Sequence, residues 1–246
     1  SYKGQILILT YPLIENYGVE ELRKNEEGLI ENFESGRIHM SGLIVSEYSD
    51  TFSHWSAKKS LGAWLEEQDV PAITGIDTRA LTKKLREKGA MLGKILAVNN
   101  DKKEPFEDPN ERNLVEEVSC REPVIYKRGK KMVVLVDTGV KENIIRSLLK
   151  RDLTVARVPW NYDFFEDKEL KKFDGLVFTN GPGDPKKVKK TIELMEHALE
   201  HQRKPILGIC LGNQIMALAA GGTTYKMKYG NRSFNQPVMD LRTSKC

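Results

Sequence analysis

From Met132 onwards, short apolar runs alternate with helical patterns, and that alternation leaves few architectures open. Met132-Val-Val-Leu-Val136 is a continuous apolar run of the kind buried on both faces of a parallel sheet. Leu153 to Val158, Leu176-Val-Phe178 and Pro205 to Ile209 repeat the pattern. Asp137-Thr-Gly139 reads as a turn. Lys141 to Arg151, with Ile144, Ile145, Leu148 and Leu149 as its apolar stripe, reads as a helix, as does Pro185 to His201. A β-α-β-α succession predicts an α/β domain with a doubly wound, mostly parallel sheet. Ligands of such sheets bind beyond the C-terminal ends of the strands. Thr223 to Lys228 and Pro237 to Leu241 read as two further strands, with Tyr229 to Gln236 as a loop between them.

The fourth apolar run ends at a cysteine. In Lys204-Pro-Ile-Leu-Gly-Ile-Cys-Leu-Gly-Asn-Gln-Ile-Met-Ala-Leu-Ala-Ala-Gly-Gly222 the first half reads as a strand and the second as a helix. Cys210 stands where one becomes the other. A sharp strand-to-helix turn lifts such a side chain out of the sheet, and free N–H groups at the helix N-terminus stabilise a thiolate. Gly208 and Gly212 flank it in a G-x-C-x-G-x-Q spacing, where a tight turn leaves little room for a Cβ. A buried, inert cysteine at a strand end is the competing reading; the paired glycines and Gln214 favour a nucleophile.

A second loop lies two strand ends away. Thr179-Asn-Gly-Pro-Gly-Asp-Pro185 follows one apolar run and opens a helix, and its two glycines let a ligand approach backbone N–H groups aimed at a negative oxygen. The same residues also make a serviceable turn and helix start.

Residues 1 to about 98 form a different unit, of mixed strands and helices. Ile6 to Thr10 and Gly42 to Ser46 read as strands, and Ser60 to Gln68 and Asp77 to Lys88 as helices. Asp77 or Thr78 supplies the N-cap of the second helix and Gly89 ends it. Its Arg79, Lys83, Lys84 and Arg86 read as a solvated basic face, with a docking face for a partner as the alternative. Asn99 to Pro105 and Glu107 to Arg112 are polar and carry two prolines, a short apolar patch follows at Leu114-Val115 and Val118, and Arg121 to Lys131 adds another proline and a basic cluster, so Asn99 to Lys131 reads as the linker region. The expected division is a first domain over 1–128, its linker starting near 99, and a second over 129–246.

Net charge is +4, from 39 basic and 35 acidic residues, too balanced for a nucleic-acid surface. No apolar run approaches the roughly 20 residues that span a bilayer, and no signal-peptide pattern opens the chain. The expectation is a cytoplasmic protein without membrane or nucleic-acid partners. Cys120, Cys210 and Cys246 suit neither a disulfide framework nor a zinc site. Cys120 reads as an inert thiol. His197 and His201 share a helix face, yet no third ligand accompanies them, so no metal is expected.

Gly208-Ile-Cys-Leu-Gly-Asn-Gln214 together with Asn180-Gly-Pro-Gly-Asp184 resembles the class I glutamine amidotransferases. Ser1-Tyr-Lys-Gly-Gln-Ile, Thr10-Tyr-Pro-Leu-Ile-Glu-Asn-Tyr-Gly18, Gly75-Ile-Asp-Thr-Arg-Ala-Leu-Thr82 and Leu85-Arg-Glu-Lys-Gly89 resemble the N-terminal domain of the small, glutamine-hydrolysing subunit of carbamoyl-phosphate synthetase. Thr224-Tyr-Lys-Met-Lys-Tyr-Gly-Asn-Arg232 and Asn235-Gln-Pro237 match the same family. The resemblance implies hydrolysis of L-glutamine through a thioester on Cys210, with ammonia delivered to a large subunit or fused synthetase domain. That partner would make carbamoyl phosphate for pyrimidine and arginine synthesis. It implies glutamine contacts at Ser1, Gly181, Gly183, Leu211 and Gln214. It places no cofactor in this chain, and ATP and magnesium on the synthetase partner.

Two departures accompany the resemblance. Family members carry histidine after the second glycine of the cysteine motif, where this chain has Asn213. The family's general-base histidine and its orienting glutamate come from a His-Pro-Glu segment, and further glutamine contacts from an Asn-His-Gly segment, both lying past Cys246. None of His39, His54, His197 and His201 stands in a matching context. The chain therefore reads as truncated at both ends, with the amidotransferase domain incomplete. The alternative is a non-catalytic fragment or regulatory subunit that binds the synthetase. A glutaminase serving another synthase is disfavoured by the first domain.

Overall fold

A computed structural model describes residues 2–11, 13–96, 105–230 and 237–246. Ser1, the start of the expected linker near Asn99, and the end of the Tyr229–Gln236 loop lie outside the described residues.

The first unit is built on three parallel strands. They are β1 (Ile6–Ile8), β4 (Gly42–Ile44) and β7 (Ala72–Ile73), in the order β1-β4-β7. Between them in sequence, β2 (Leu13–Ile14) pairs in parallel with β5 (Glu47–Tyr48), and β3 (Val19–Glu20) pairs antiparallel with β6 (Ala57–Lys59). Leu43, Val45 and Leu65 are buried together as a small core. Leu65 comes from α1 (Leu61–Glu67), whose start is fixed by the Ser60 side chain accepting from Ala63 N at 3.0 Å. Asp77, not Thr78, caps α2 (Thr78–Lys88), accepting from Ala80 N at 2.9 Å. Gly89 ends α2 with φ at 88°, a left-handed conformation that glycine adopts without strain.

His39, half-buried in this unit, has Nε2 2.8 Å from Ser35 Oγ. Burial, then the charges of Arg37 and Lys3, hold its pKa down to about 4. The unfolded chain binds a proton near the usual value of 6.5, whereas the folded chain refuses it until about pH 4. This contribution to stability is therefore complete above pH 6.5 and declines as pH falls towards 4. His39→Gln keeps a hydrogen-bonding partner for Ser35 and removes the titration, so its urea midpoint is expected to vary less than wild type across that window. Parallel losses in both proteins would rule His39 out as the cause.

The stretch expected to be a linker is partly packed. Leu114 and Val115 are buried, with Asn113 Oδ1 accepting from Val115 N at 3.2 Å and Glu116 N at 3.3 Å. Further on, β8 (Val124–Tyr126) joins the sheet of the second unit at its edge. This strand is a three-residue apolar run, mostly exposed and set between Pro123 and the basic cluster of Lys127 to Lys131, inside a stretch that otherwise reads as a linker.

That sheet has the order β12-β11-β9-β10-β8, where β9 is Lys131–Asp137, β10 Leu153–Pro159, β11 Gly175–Phe178 and β12 Ile206–Gly208. Its neighbours pair in parallel except for β8 against β10. Alternate residues of the central strands serve two cores, as the period-two pleat requires. Val133, Leu135, Val155 and Val177 face α3 (Glu142–Leu149), packing with Ile145, Leu149 and Leu29 of the first unit. Val134, Val136, Ala156, Val158, Leu176 and Phe178 face α4 (Lys189–His201) and α5 (Leu211–Ala219). The sheet is covered on both sides, and the expected mixed first unit and doubly wound second unit are both present.

The helix expected over Pro185 to His201 is divided. Pro185–Lys187 forms a 3₁₀ turn capped by Asp184, whose side chain accepts from Lys186 N at 2.9 Å. Val188, with φ −102° and ψ 55°, leaves helical geometry while packing into the core, and α4 starts after it. The strands expected at Thr223 to Lys228 and Pro237 to Leu241 do not form. Their side chains are exposed, Tyr225 to 85% and Leu241 to 88%, and Asp240 makes only an isolated bridge to Lys245. An apolar-polar alternation becomes a strand only against a neighbouring strand, and among the described residues these segments lie against none.

Candidate functional site

Cys210 lies between β12 and α5 with φ 55° and ψ −106°, a conformation that costs a non-glycine residue about 1–3 kcal/mol. The chain reverses there within very few residues. Ile209 N donates to Phe178 O at 2.9 Å, and Gly212 N donates to Thr179 O and Ile209 O at 3.0 Å each. The helix has therefore begun while the backbone is still bonded to the end of β11, and the Cys210 side chain is left exposed. Both flanking glycines are required by close approach. A Cβ on Gly212 would lie 2.1 Å from Phe178 O, and one on Gly208 2.7 Å from Asn213 N.

The glycine loop after β11 meets this turn from the side. A Cβ on Gly181 would lie 2.1 Å from Thr138 O and 2.5 Å from Leu211 Cδ2. Leu211 is itself buried as the first residue of α5, where a helix leaves its N–H without an intrahelical partner. Cys210, Leu211 and Gly181 are thus brought together. Gly183, with φ 82°, has its α-carbon turned towards Leu114, whose Cβ would lie 3.4 Å from an added Cβ. Gln214 is exposed one turn into α5, its N–H donating to Cys210 O at 3.2 Å, and Asn213 is exposed beside it. Ser1 lies outside the described residues.

Sequence reasoning passed over the support beneath the loop. Thr138 N donates to Thr179 Oγ1 at 3.0 Å, and Thr138 Oγ1 donates to Thr179 O at 2.8 Å. Asn180 Nδ2 donates to Gly139 O at 2.8 Å. All these residues stand at the C-terminal ends of β9 and β11. The turn at Asp137-Thr-Gly139 is legible in sequence, and its position at the strand end beside the glycine loop was the available signal.

The thiols differ sharply in setting. Cys120 is half-buried, and burial followed by the charge of Asp137 pushes its pKa up to about 12, so at neutral pH it stays a thiol. Cys210 and Cys246 are exposed. Of the histidines, His197 stacks on Phe165 with centroids 4.4 Å apart and lies 4.6 Å from the His201 ring. Among the described residues no group of three or more His, Cys, Asp or Glu side chains is placed to hold a metal ion. Among them, too, no helix is long and apolar enough to cross a membrane.

Comparison with known proteins matches two families. Residues 1–95 match the carbamoyl-phosphate synthase small chain, CPSase domain, and residues 134–245 match glutamine amidotransferase class-I. The whole chain is 49% identical to part of the multifunctional protein CAD of Squalus acanthias, covering 11% of that protein. It is 45% identical to part of the multifunctional protein pyr1-3 of Dictyostelium discoideum, covering 12% of it. It is also similar, at 44% identity, to the arginine-specific small chain of carbamoyl phosphate synthase of Schizosaccharomyces pombe, of which it covers 60%.

Proposed function

We propose that the chain, whose residues 1–95 match the carbamoyl-phosphate synthase small chain and whose residues 134–245 match glutamine amidotransferase class-I, is the nucleophile-bearing part of a glutaminase supplying a carbamoyl-phosphate synthase. The observation that carries the reading is the meeting of an exposed, strained Cys210 with the Gly181 loop and the first turn of α5.

In this reading the Cys210 thiolate attacks the side-chain carboxamide carbon of glutamine. The carbonyl oxygen becomes an oxyanion held by N–H groups of Leu211 and of the Gly181–Gly183 loop. The C–N bond then breaks, ammonia leaves with a proton from the general acid–base, and a thioester remains on sulfur. Water cleaves the thioester to glutamate and restores the thiol. Gln214 and Ser1 hold the amino-acid end of the substrate. In the family the general base is the histidine of a His-Pro-Glu segment, a motif that these 246 residues do not contain. ATP, magnesium and bicarbonate belong to the synthetase partner, joined as a separate chain, as the name of the yeast small chain suggests, or within one polypeptide, as the multifunctional relatives suggest. The reading implies a cytoplasmic protein serving pyrimidine or arginine synthesis.

The test is labelling of the full-length protein by a glutamine-mimicking electrophile, read by peptide mass. Modification confined to Cys210 and suppressed by glutamine is the expected result. Equal labelling of Cys210, Cys120 and Cys246, unaffected by glutamine, would overturn the proposal.

A further inference from the structure

Asp137 is 0% exposed at the end of β9, and both of its carboxylate oxygens are engaged. Oδ1 accepts from Gly139 N and Val140 N, each at 2.8 Å. Oδ2 accepts from Cys120 N at 2.9 Å, Arg157 Nε at 2.8 Å and Arg157 Nη2 at 2.6 Å. Neutralising a buried carboxylate needs only the arginine. The backbone bonds do something else: they close the turn from Asp137 to Val140 as an Asx-type turn and set the height of Thr138 and Gly139.

That turn is the floor of the glycine loop. Thr138 O stands where a Gly181 side chain would begin, and a Cβ on Gly139 would lie 3.1 Å from Pro182 Cδ and 3.3 Å from Gly181 Cα. Asn180 is tied to the same turn, its Nδ2 donating to Gly139 O and its Oδ1 accepting from Lys141 N at 3.3 Å. Leu211, next to Cys210, closes on the same Gly181 position, its Cδ2 lying 2.5 Å from an added Cβ. Any tilt of the turn is transmitted through close backbone contacts that have no slack to absorb it.

We infer that Asp137, clamped by Arg157, is a positioning residue for the carboxamide-binding loop at Gly181–Gly183. The inference rests on the glutaminase reading above. It distinguishes Asp137 from an ordinary buried ion-pair member, whose loss would lower stability without changing how glutamine is handled relative to a simple thiol reagent.

The experiment uses the full-length protein as wild type, Asp137→Asn and Arg157→Lys. Asparagine can still accept from Gly139 and Val140 through its oxygen, but presents N–H groups where Oδ2 met Cys120 N and Arg157. Lysine keeps the charge and loses the paired nitrogens. Two rates are read: kcat/KM for glutamine hydrolysis, and modification of Cys210 by methyl methanethiosulfonate, which carries no carboxamide. Displacing a bound group by an ångström costs about 100-fold, so Asp137→Asn is expected to lose about that much kcat/KM while Cys210 modification stays within twofold. Arg157→Lys is expected to show a smaller loss in the same direction, and it decides the matter if Asp137→Asn does not fold. Glutamine turnover within twofold of wild type in a folded variant, or equal losses in both rates, would overturn the inference. Absence of glutamine turnover in the wild type, with Cys210 still modified by the thiol reagent, would instead overturn the glutaminase reading.

Discussion

Cys210→Ser in the full-length protein is expected to reduce the turnover number for glutamine on the order of 10⁴-fold or more. A serine hydroxyl is not measurably ionised at neutral pH, whereas a cysteine placed before the first turn of a helix can present a thiolate. The replacement changes one atom of an exposed side chain and leaves the φ of 55° as it was. Its effect on stability is therefore expected within about 0.5 kcal/mol. Glutamine binding, followed by protection of the protein against thermal unfolding, should persist. Steady-state glutamate release and a thermal melt of the same preparation decide the question. A serine variant retaining a tenth of wild-type turnover would remove Cys210 from the chemistry.

Gly181→Ala is the second large effect. The added methyl would lie 2.1 Å from Thr138 O and 2.5 Å from Leu211 Cδ2. Leucine can move its tip, but the carbonyl belongs to the turn held by Asp137 and cannot retreat without breaking that turn. The loop must therefore shift away from Thr138. Overpacking of this kind costs about 1–3 kcal/mol, and displacement of the loop about 100-fold in kcat/KM for glutamine. Gly183→Ala is the comparison. Its left-handed φ of 82° costs an alanine about 1–2 kcal/mol, yet its nearest contact, Leu114 Cβ at 3.4 Å, is ordinary packing. The two variants should lose similar stability, with the greater loss of activity in Gly181→Ala. Equal turnover in the two would mean that the Gly181 face of the loop does not meet the substrate.

Much of this was readable from residue order. The buried strands of the second unit announced themselves because β9 and β11 are apolar on both faces, and only a sheet covered twice tolerates that. Gly208, Cys210 and Gly212 marked the strand-to-helix turn because their spacing matches its geometric demands. Strand β8 was not readable, because Val124-Ile-Tyr126 is a short run between a proline and a basic cluster, mostly exposed, and takes its place only from its pairing with β10. The division of the helix at Val188 was equally hidden, since both pieces share one apolar stripe. Thr223 to Lys228 carried a strand-like pattern, but pattern alone supplies no pairing partner.

The amino-acid sequence by itself determined the two-unit α/β organisation, the strand-to-helix turn at Cys210 and the two loops that meet around it. These depend on local periodicity and on glycines whose conformations or contacts exclude other side chains. The tertiary structure alone decided what lies under the glycine loop. Asp137, Cys120 and Arg157 are up to 37 positions apart in the chain, and their hydrogen bonds exist only because β9, β10 and the connecting segment are folded side by side. Such bonds leave no periodic trace in a sequence, because each residue's role is set by the residues that pairing brings beside it rather than by its neighbours along the chain.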